Sequence, residues 1–121
     1  MRNSIIENKS FGFAVRIVNL YKFLFEKKEY VMSKQVLRSG TSIGANVSEA
    51  LEAQSKKDYV AKMNIALKEC AETIYWIRLL AKTDYILSVQ ADSLLKDATE
   101  IKKILSSIII TTKGKMGEEE R

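Results

Sequence analysis

Histidine and proline are absent from this 121-residue chain, and cysteine occurs once, at Cys70. Without histidine there can be no Ser-His-Asp triad, no Cys-His dyad and no histidine metal ligand. One cysteine excludes an intrachain disulfide and any Cys-x-x-Cys metal or redox site. No proline and only five glycines leave few helix breakers, which favours a nearly all-helical chain. No apolar run approaches the roughly 20 residues of a membrane span. The Ile108–Ile110 run is short and flanked by Lys102, Lys103 and Lys113. The first ten residues lack the apolar stretch of a secretory signal, so the expected location is cytoplasmic, with no membrane. No cofactor, metal or enzymatic activity is expected, because acid–base chemistry would rest on carboxylates and lysines alone.

What remains is an ordinary globular balance of 46% hydrophobic and 29% charged residues, enough chain for one domain with its own core. The net charge is +5, from 20 basic and 15 acidic residues. Three of those acids sit together at Glu118–Glu120 beside Arg121, and without these four residues 19 bases face 12 acids, a net charge of +7. A body that basic attracts phosphate polyanions. From charge alone, a solvated lysine surface is the simpler reading.

Hydrophobic spacing predicts four helices. The first runs from Phe11 to Lys28 with Ser10 as N-cap. Phe13, Ile17, Leu20 and Leu24 step by 4, 3 and 4, and Ala14, Val18, Tyr21 and Phe25 repeat the pattern one residue on. Two adjacent stripes imply contact with more than one neighbour. The second helix spans Tyr30 or Ser33 to Ala53, with a heptad-like seam of Val36, Gly40, Ile43, Val47 and Ala50. Gly40 and Gly44 share a face and would let another backbone approach; a break near Ser39–Ser42 is the alternative. The third helix starts at a Ser55 cap, with Asp58 at capping-box spacing, and ends near Thr83 and Asp84. Its seam is Tyr59, Met63, Ala66, Cys70, Ile74 or Thr73, Ile77 and Ala81. The fourth begins at a Ser88 cap, follows Leu94, Ala98, Ile101, Leu105, Ile108 and Thr112, and stops at Gly114. Short connections force antiparallel neighbours. The expected fold is all-α, an antiparallel up-down-up-down four-helix bundle over residues 1–113, with a flexible charged tail at 114–121.

The densest polar cluster runs from Arg38 to Glu49. It reads either as a ligand site, with Arg38 holding a phosphate, or as a packing face in which Asn46 and Glu49 form a buried polar network. Packing is the simpler reading. Glu49, Glu69 and Glu72 are the one carboxylate set with a metal-site reading, but di-metal bundles pair such acids with histidine, so salt bridges are expected instead. Tyr75, Trp76 and Arg78 allow stacking on unpaired bases, although core packing or subunit contact is the simpler role. Cys70 reads as a small core residue. Lys56, Lys57, Lys62, Lys68, Arg78 and Lys82, with Lys102 and Lys103, form the main basic reservoir.

Several segments then line up in order: Lys9-Ser10-Phe11, Arg16-Ile17-Val18, Ser33-Lys34-Gln35, Leu37 to Asn46, Gln54 to Asp58, Ile65 to Glu69, and Tyr75-Trp76 before Arg78. Over residues 9–113 the chain resembles the bacterial four-helix bundle proteins encoded in intervening sequences of 23S ribosomal RNA genes, often called S23 ribosomal proteins. The resemblance implies a homopentamer without catalytic residues. A related branch holds the accessory proteins of diversity-generating retroelements, which bind nucleic acid and a reverse transcriptase. The expectation is therefore a non-enzymatic homo-oligomer binding RNA or DNA, with Arg38, Lys56, Lys57 and Lys62 as phosphate contacts. The rival expectation is a scaffold for a protein partner that ignores nucleic acid.

Overall fold

A computed structural model describes residues 3–119. Its first helix, α1, runs Ser4–Glu26, seven residues longer at its start than the spacing predicts. Asn3 is the N-cap, its side chain accepting from the Ile6 N–H at 3.4 Å. Ser10, expected as the cap, is buried inside α1, where its hydroxyl donates to the Glu7 carbonyl. The buried stripe reads Ile6, Ser10, Phe13, Ile17, Leu20 and Leu24, so Ser10 occupies a core position.

Helix α1 ends without glycine. Lys28 takes φ 65°, the Glu29 N–H donates to the Leu24 carbonyl and the Lys28 N–H to the Phe25 carbonyl. These two bonds make a Schellman stop. Asp84, at φ 66°, ends the third helix in the same way, with Tyr85 bonding back to Leu80 and Asp84 to Ala81.

Helix α2 (Met32–Leu51) is continuous through both glycines. A Cβ at Gly40 would lie 2.7 Å from two side-chain carbons of Ile17, and one at Gly44 would lie 3.2 Å from the Ser10 carbonyl oxygen. The glycines therefore let α1 and α2 pack closely, and Ser10 is small because Gly44 faces its backbone. Helix α3 (Lys56–Lys82) begins at the expected cap, with Ser55 Oγ accepting from the Asp58 N–H at 3.1 Å. Its core face buries Tyr59, Val60, Met63, Ala66, Cys70, Thr73, Ile77 and Leu80.

Helix α4 (Ser88–Glu119) starts one residue earlier than a Ser88 cap implies: Leu87 is the boundary residue, and its N–H donates to Gln90 Oε1 at 2.9 Å. Gly114 does not stop the helix. Thr112 is buried and Met116 packs on the core one turn further, so the apolar face continues past the glycine. Residues 120–121 of the expected tail lie outside the described residues.

Neighbouring pairs are α1·α2, α2·α3, α3·α4 and α1·α4, which is the up-down-up-down bundle, and no strand occurs among the described residues. One core of aliphatic side chains, with Phe13, Tyr59, Met63 and Cys70, fills its axis. No helix among the described residues is long and apolar enough to cross a membrane.

Candidate functional site

Helix α2 carries the Arg38–Glu49 cluster, and α3 carries Glu69, Glu72, Tyr75, Trp76 and most of the basic residues singled out in sequence. Toward α2, Arg38 forms ion pairs with Glu69, at 3.0 Å, and with Glu72. Trp76 Nε1 donates to the same Glu72 carboxylate at 3.1 Å. The indole bond, opposed by partial burial and helped by Arg38, holds the Glu72 carboxyl below its ordinary range. Its hydrogen bond to Glu72 in turn raises the Arg38 guanidinium. The carboxylates thus form salt bridges, as expected in a chain without histidine, and Arg38 is engaged by protein rather than presented alone.

The other predicted phosphate contacts divide. Lys62 pairs with Glu49 at 3.3 Å, and Lys56 pairs with Glu119 of α4. Lys57 is exposed and has no carboxylate partner among the described residues. Asn46 and Glu49 do not form the expected buried network. Asn46 donates to the Ser42 carbonyl of its own helix at 2.8 Å, and Glu49 is exposed toward Lys62. The buried polar contact lies elsewhere, where Ser39 Oγ and Thr73 Oγ1 approach to 2.9 Å between α2 and α3. Both are single hydroxyls within apolar stripes; in sequence Ser39 lies in the Arg38–Glu49 polar cluster and Thr73 is a seam alternative to Ile74.

Two further ion pairs close the α1–α4 side, which the sequence reading did not anticipate. Arg16 reaches Asp97 at 2.5 Å and Ser93 Oγ at 2.9 Å, and Lys9 reaches Glu100 at 2.5 Å. Arg16 and Lys9 stand 81 and 91 residues from their acidic partners, so only the antiparallel pairing of α1 with α4 could have suggested them.

Cys70 is fully buried and donates to the Ala98 carbonyl; burial pushes its thiol up to about 11, against a small opposite pull from Lys102. It is a core residue and no nucleophile at neutral pH. No group of three or more metal-ligating side chains occurs among the described residues.

The outward side of α3 differs in kind. Tyr75, expected in the core or at a subunit contact, is 58% exposed, while Trp76 beside it is half-buried. Lys57, Lys68, Arg78 and Lys82 are exposed and form no ion pair among the described residues.

The fold and these surfaces define a four-helix-bundle protein whose helices are tied together by ion pairs and whose α3 carries exposed bases. The family model for the 23S rRNA-intervening sequence protein matches residues 2–107, and the chain belongs to that family. A crystallised protein of unknown function from the S23 ribosomal protein family of Bacteroides thetaiotaomicron VPI-5482 is 62% identical and superposes with a TM-score of 0.85. That match covers 86% of this chain and 97% of the other. No curated protein matches.

Proposed function

We propose that this protein is a non-enzymatic homo-oligomer that binds RNA or DNA through lysine-rich helix surfaces. One observation carries the reading: α3 carries exposed bases that form no ion pair among the described residues, Lys57, Lys68 and Lys82 among them. Glu49, Glu69, Glu72, Asp97, Glu100 and Glu119 pair with five other bases. The whole chain keeps an excess of 20 bases over 15 acids. Phosphate contact without base-pair readout suits scattered lysines. Of the four contacts expected from sequence, Lys57 fits best, since Arg38, Lys56 and Lys62 already face carboxylates.

Assembly is supported by α1. Beside the stripe of Ala14, Val18, Tyr21 and Phe25, which is half-buried except for Phe25, it leaves a further apolar line exposed: Phe11, Val15 and Phe25 are 71%, 48% and 51% exposed, and Val18 is half-buried between them. A second copy of the chain is the proposed cover, and a homopentamer is the assembly the family resemblance implies. A reverse transcriptase is the protein partner implied by the resemblance to retroelement accessory proteins.

The test is fluorescence anisotropy with labelled structured RNA and duplex DNA, using nuclease-treated protein between about 50 and 200 mM salt. Binding at micromolar protein with a steep negative salt slope is expected. No binding at the lowest salt overturns the reading and leaves the scaffold role.

A further inference from the structure

We infer that the outward face of α3 is a binding strip for single-stranded nucleic acid, with Tyr75 as a stacking platform and Lys57, Lys68, Arg78 and Lys82 as phosphate contacts. The inference rests on the proposed polyanion binding and names the site and the kind of strand. Lys57, Asn64, Lys68, Tyr75 and Lys82 step by 7, 4, 7 and 7, which places them on one line along α3. All five are exposed. At 1.5 Å per residue, Lys57 to Lys82 spans about 37 Å. The three acids of this helix lie off that line: Glu69 and Glu72 turn toward Arg38 of α2, and Asp58 shares their side by register. The line therefore carries three lysines and no acid, with Glu72 one turn beyond Lys68 and held low in part by it.

An aromatic ring stands in its middle. Tyr75 packs at 76° against Trp76, with ring centroids 5.2 Å apart. Trp76 is fixed by its bond to Glu72, and Glu72 by Arg38. Arg38 is thereby a positioning residue for the platform. Tyr75, Arg78, Leu79 and Lys82 line a shallow depression beside the ring. An exposed aromatic flanked by unpaired cations suits a strand whose bases are unstacked, because every base offers a π-face to a ring while the cations follow the backbone. Bases inside a duplex are not available to such a ring.

The experiment uses a fluorescein-labelled unstructured oligouridine, a duplex of equal length, and heparin as a polyanion without bases. Tyr75→Ala should weaken oligouridine binding about five- to ten-fold. Heparin and duplex affinity should not change, and Tyr75→Phe should bind like the original chain. Lys68→Gln and Lys82→Gln should each lower the single-strand salt slope by about 0.7. Thermal melting and sedimentation of each variant show that fold and assembly are kept. If the unaltered chain binds oligouridine and Tyr75→Ala binds equally well, the strip is wrong while polyanion binding stands. If the unaltered chain binds no polynucleotide, both readings fail. If Tyr75→Ala changes the sedimenting mass, Tyr75 is a subunit contact and the strip is overturned.

Discussion

Glu29 joins two helices with one residue. Its backbone N–H closes the Schellman stop of α1, and its carboxylate accepts from the N–H groups of Val31, Met32 and Ser33 at 3.1, 2.9 and 2.6 Å. Val31, at the N-terminal boundary of α2, offers no capping side chain, so Glu29 supplies the missing acceptors. Burial alone would raise its carboxyl, but the three N–H donors outweigh that and hold it below the ordinary range. A carboxylate at this end also meets the positive end of the α2 dipole. Glu29→Ala should therefore cost about 1–2 kcal/mol in urea unfolding at neutral pH, as a lost cap does. The pH dependence has a definite sign. Because the folded state holds the carboxyl low, the stabilisation is complete above the ordinary carboxylate range and drains away as pH falls through the depressed value. Glu29→Gln should flatten the loss of stability in that acidic window. An unchanged acid slope in the variant would show that other carboxylates set it.

At the scale of helices, the α1–α2 contact depends on Gly40. Ile17 is fully buried and branched at Cβ, and an added methyl would sit 2.7 Å from both of its γ-carbons. Alanine favours helix over glycine by about 1 kcal/mol, while overpacking a rigid core contact costs about 1–3 kcal/mol. Gly40→Ala should lower stability by about 1 kcal/mol net, and the double variant with Ile17→Ala should lose less than the two singles together. Additive losses would mean that the helices do not meet there. This contact was legible, since glycines four apart on an apolar face announce a close neighbour. So were the α2 seam and the Ser55 cap. The start of α1 was not, because Ser10 looks like a cap until Gly44 is seen opposite it. Helix ends at Lys28 and Asp84 carry no glycine, so nothing in the sequence marks their left-handed turn. In α4, three consecutive isoleucines hide the register: the seam predicts Ile108, yet Ile109 is buried and Ile110 is 72% exposed. The buried steps run 4 and then 3 from Leu105 to Thr112 rather than 3 and then 4, so the departure is local and the helix is back on the predicted seam at Thr112. At the candidate site, Arg38 was legible as a polar residue of interest, but its partners stand 31 and 34 residues away and only the α2–α3 pairing brings them together.

For the whole molecule, the unpaired surfaces fall on different helices. Basic charge and Tyr75 lie outward on α3, and the uncovered apolar stripe lies on α1. Phe11, Val15, Val18, Lys22 and Phe25 step by 4, 3, 4 and 3, the spacing of a helix seam with one lysine in it. Phe25 continues into an aromatic cluster, 6.0 Å from Tyr21 and 5.1 Å from Tyr30 between ring centroids. This stripe is where the proposed assembly would form. If copies join through α1, each brings its own α3 strip, and one long strand can engage several strips at once. Linked sites raise apparent affinity well beyond a single contact. Val15→Glu with Phe11→Glu should therefore do two things. Sedimentation equilibrium should shift the protein from an oligomer, a pentamer by family resemblance, to the 13.7 kDa chain with its helical signal intact. Affinity for a long polynucleotide should fall by at least about ten-fold, while affinity for an oligonucleotide short enough for one strip should hold. An unaltered chain that sediments as a monomer would remove the assembly. A double variant that stays oligomeric would place the interface on another face.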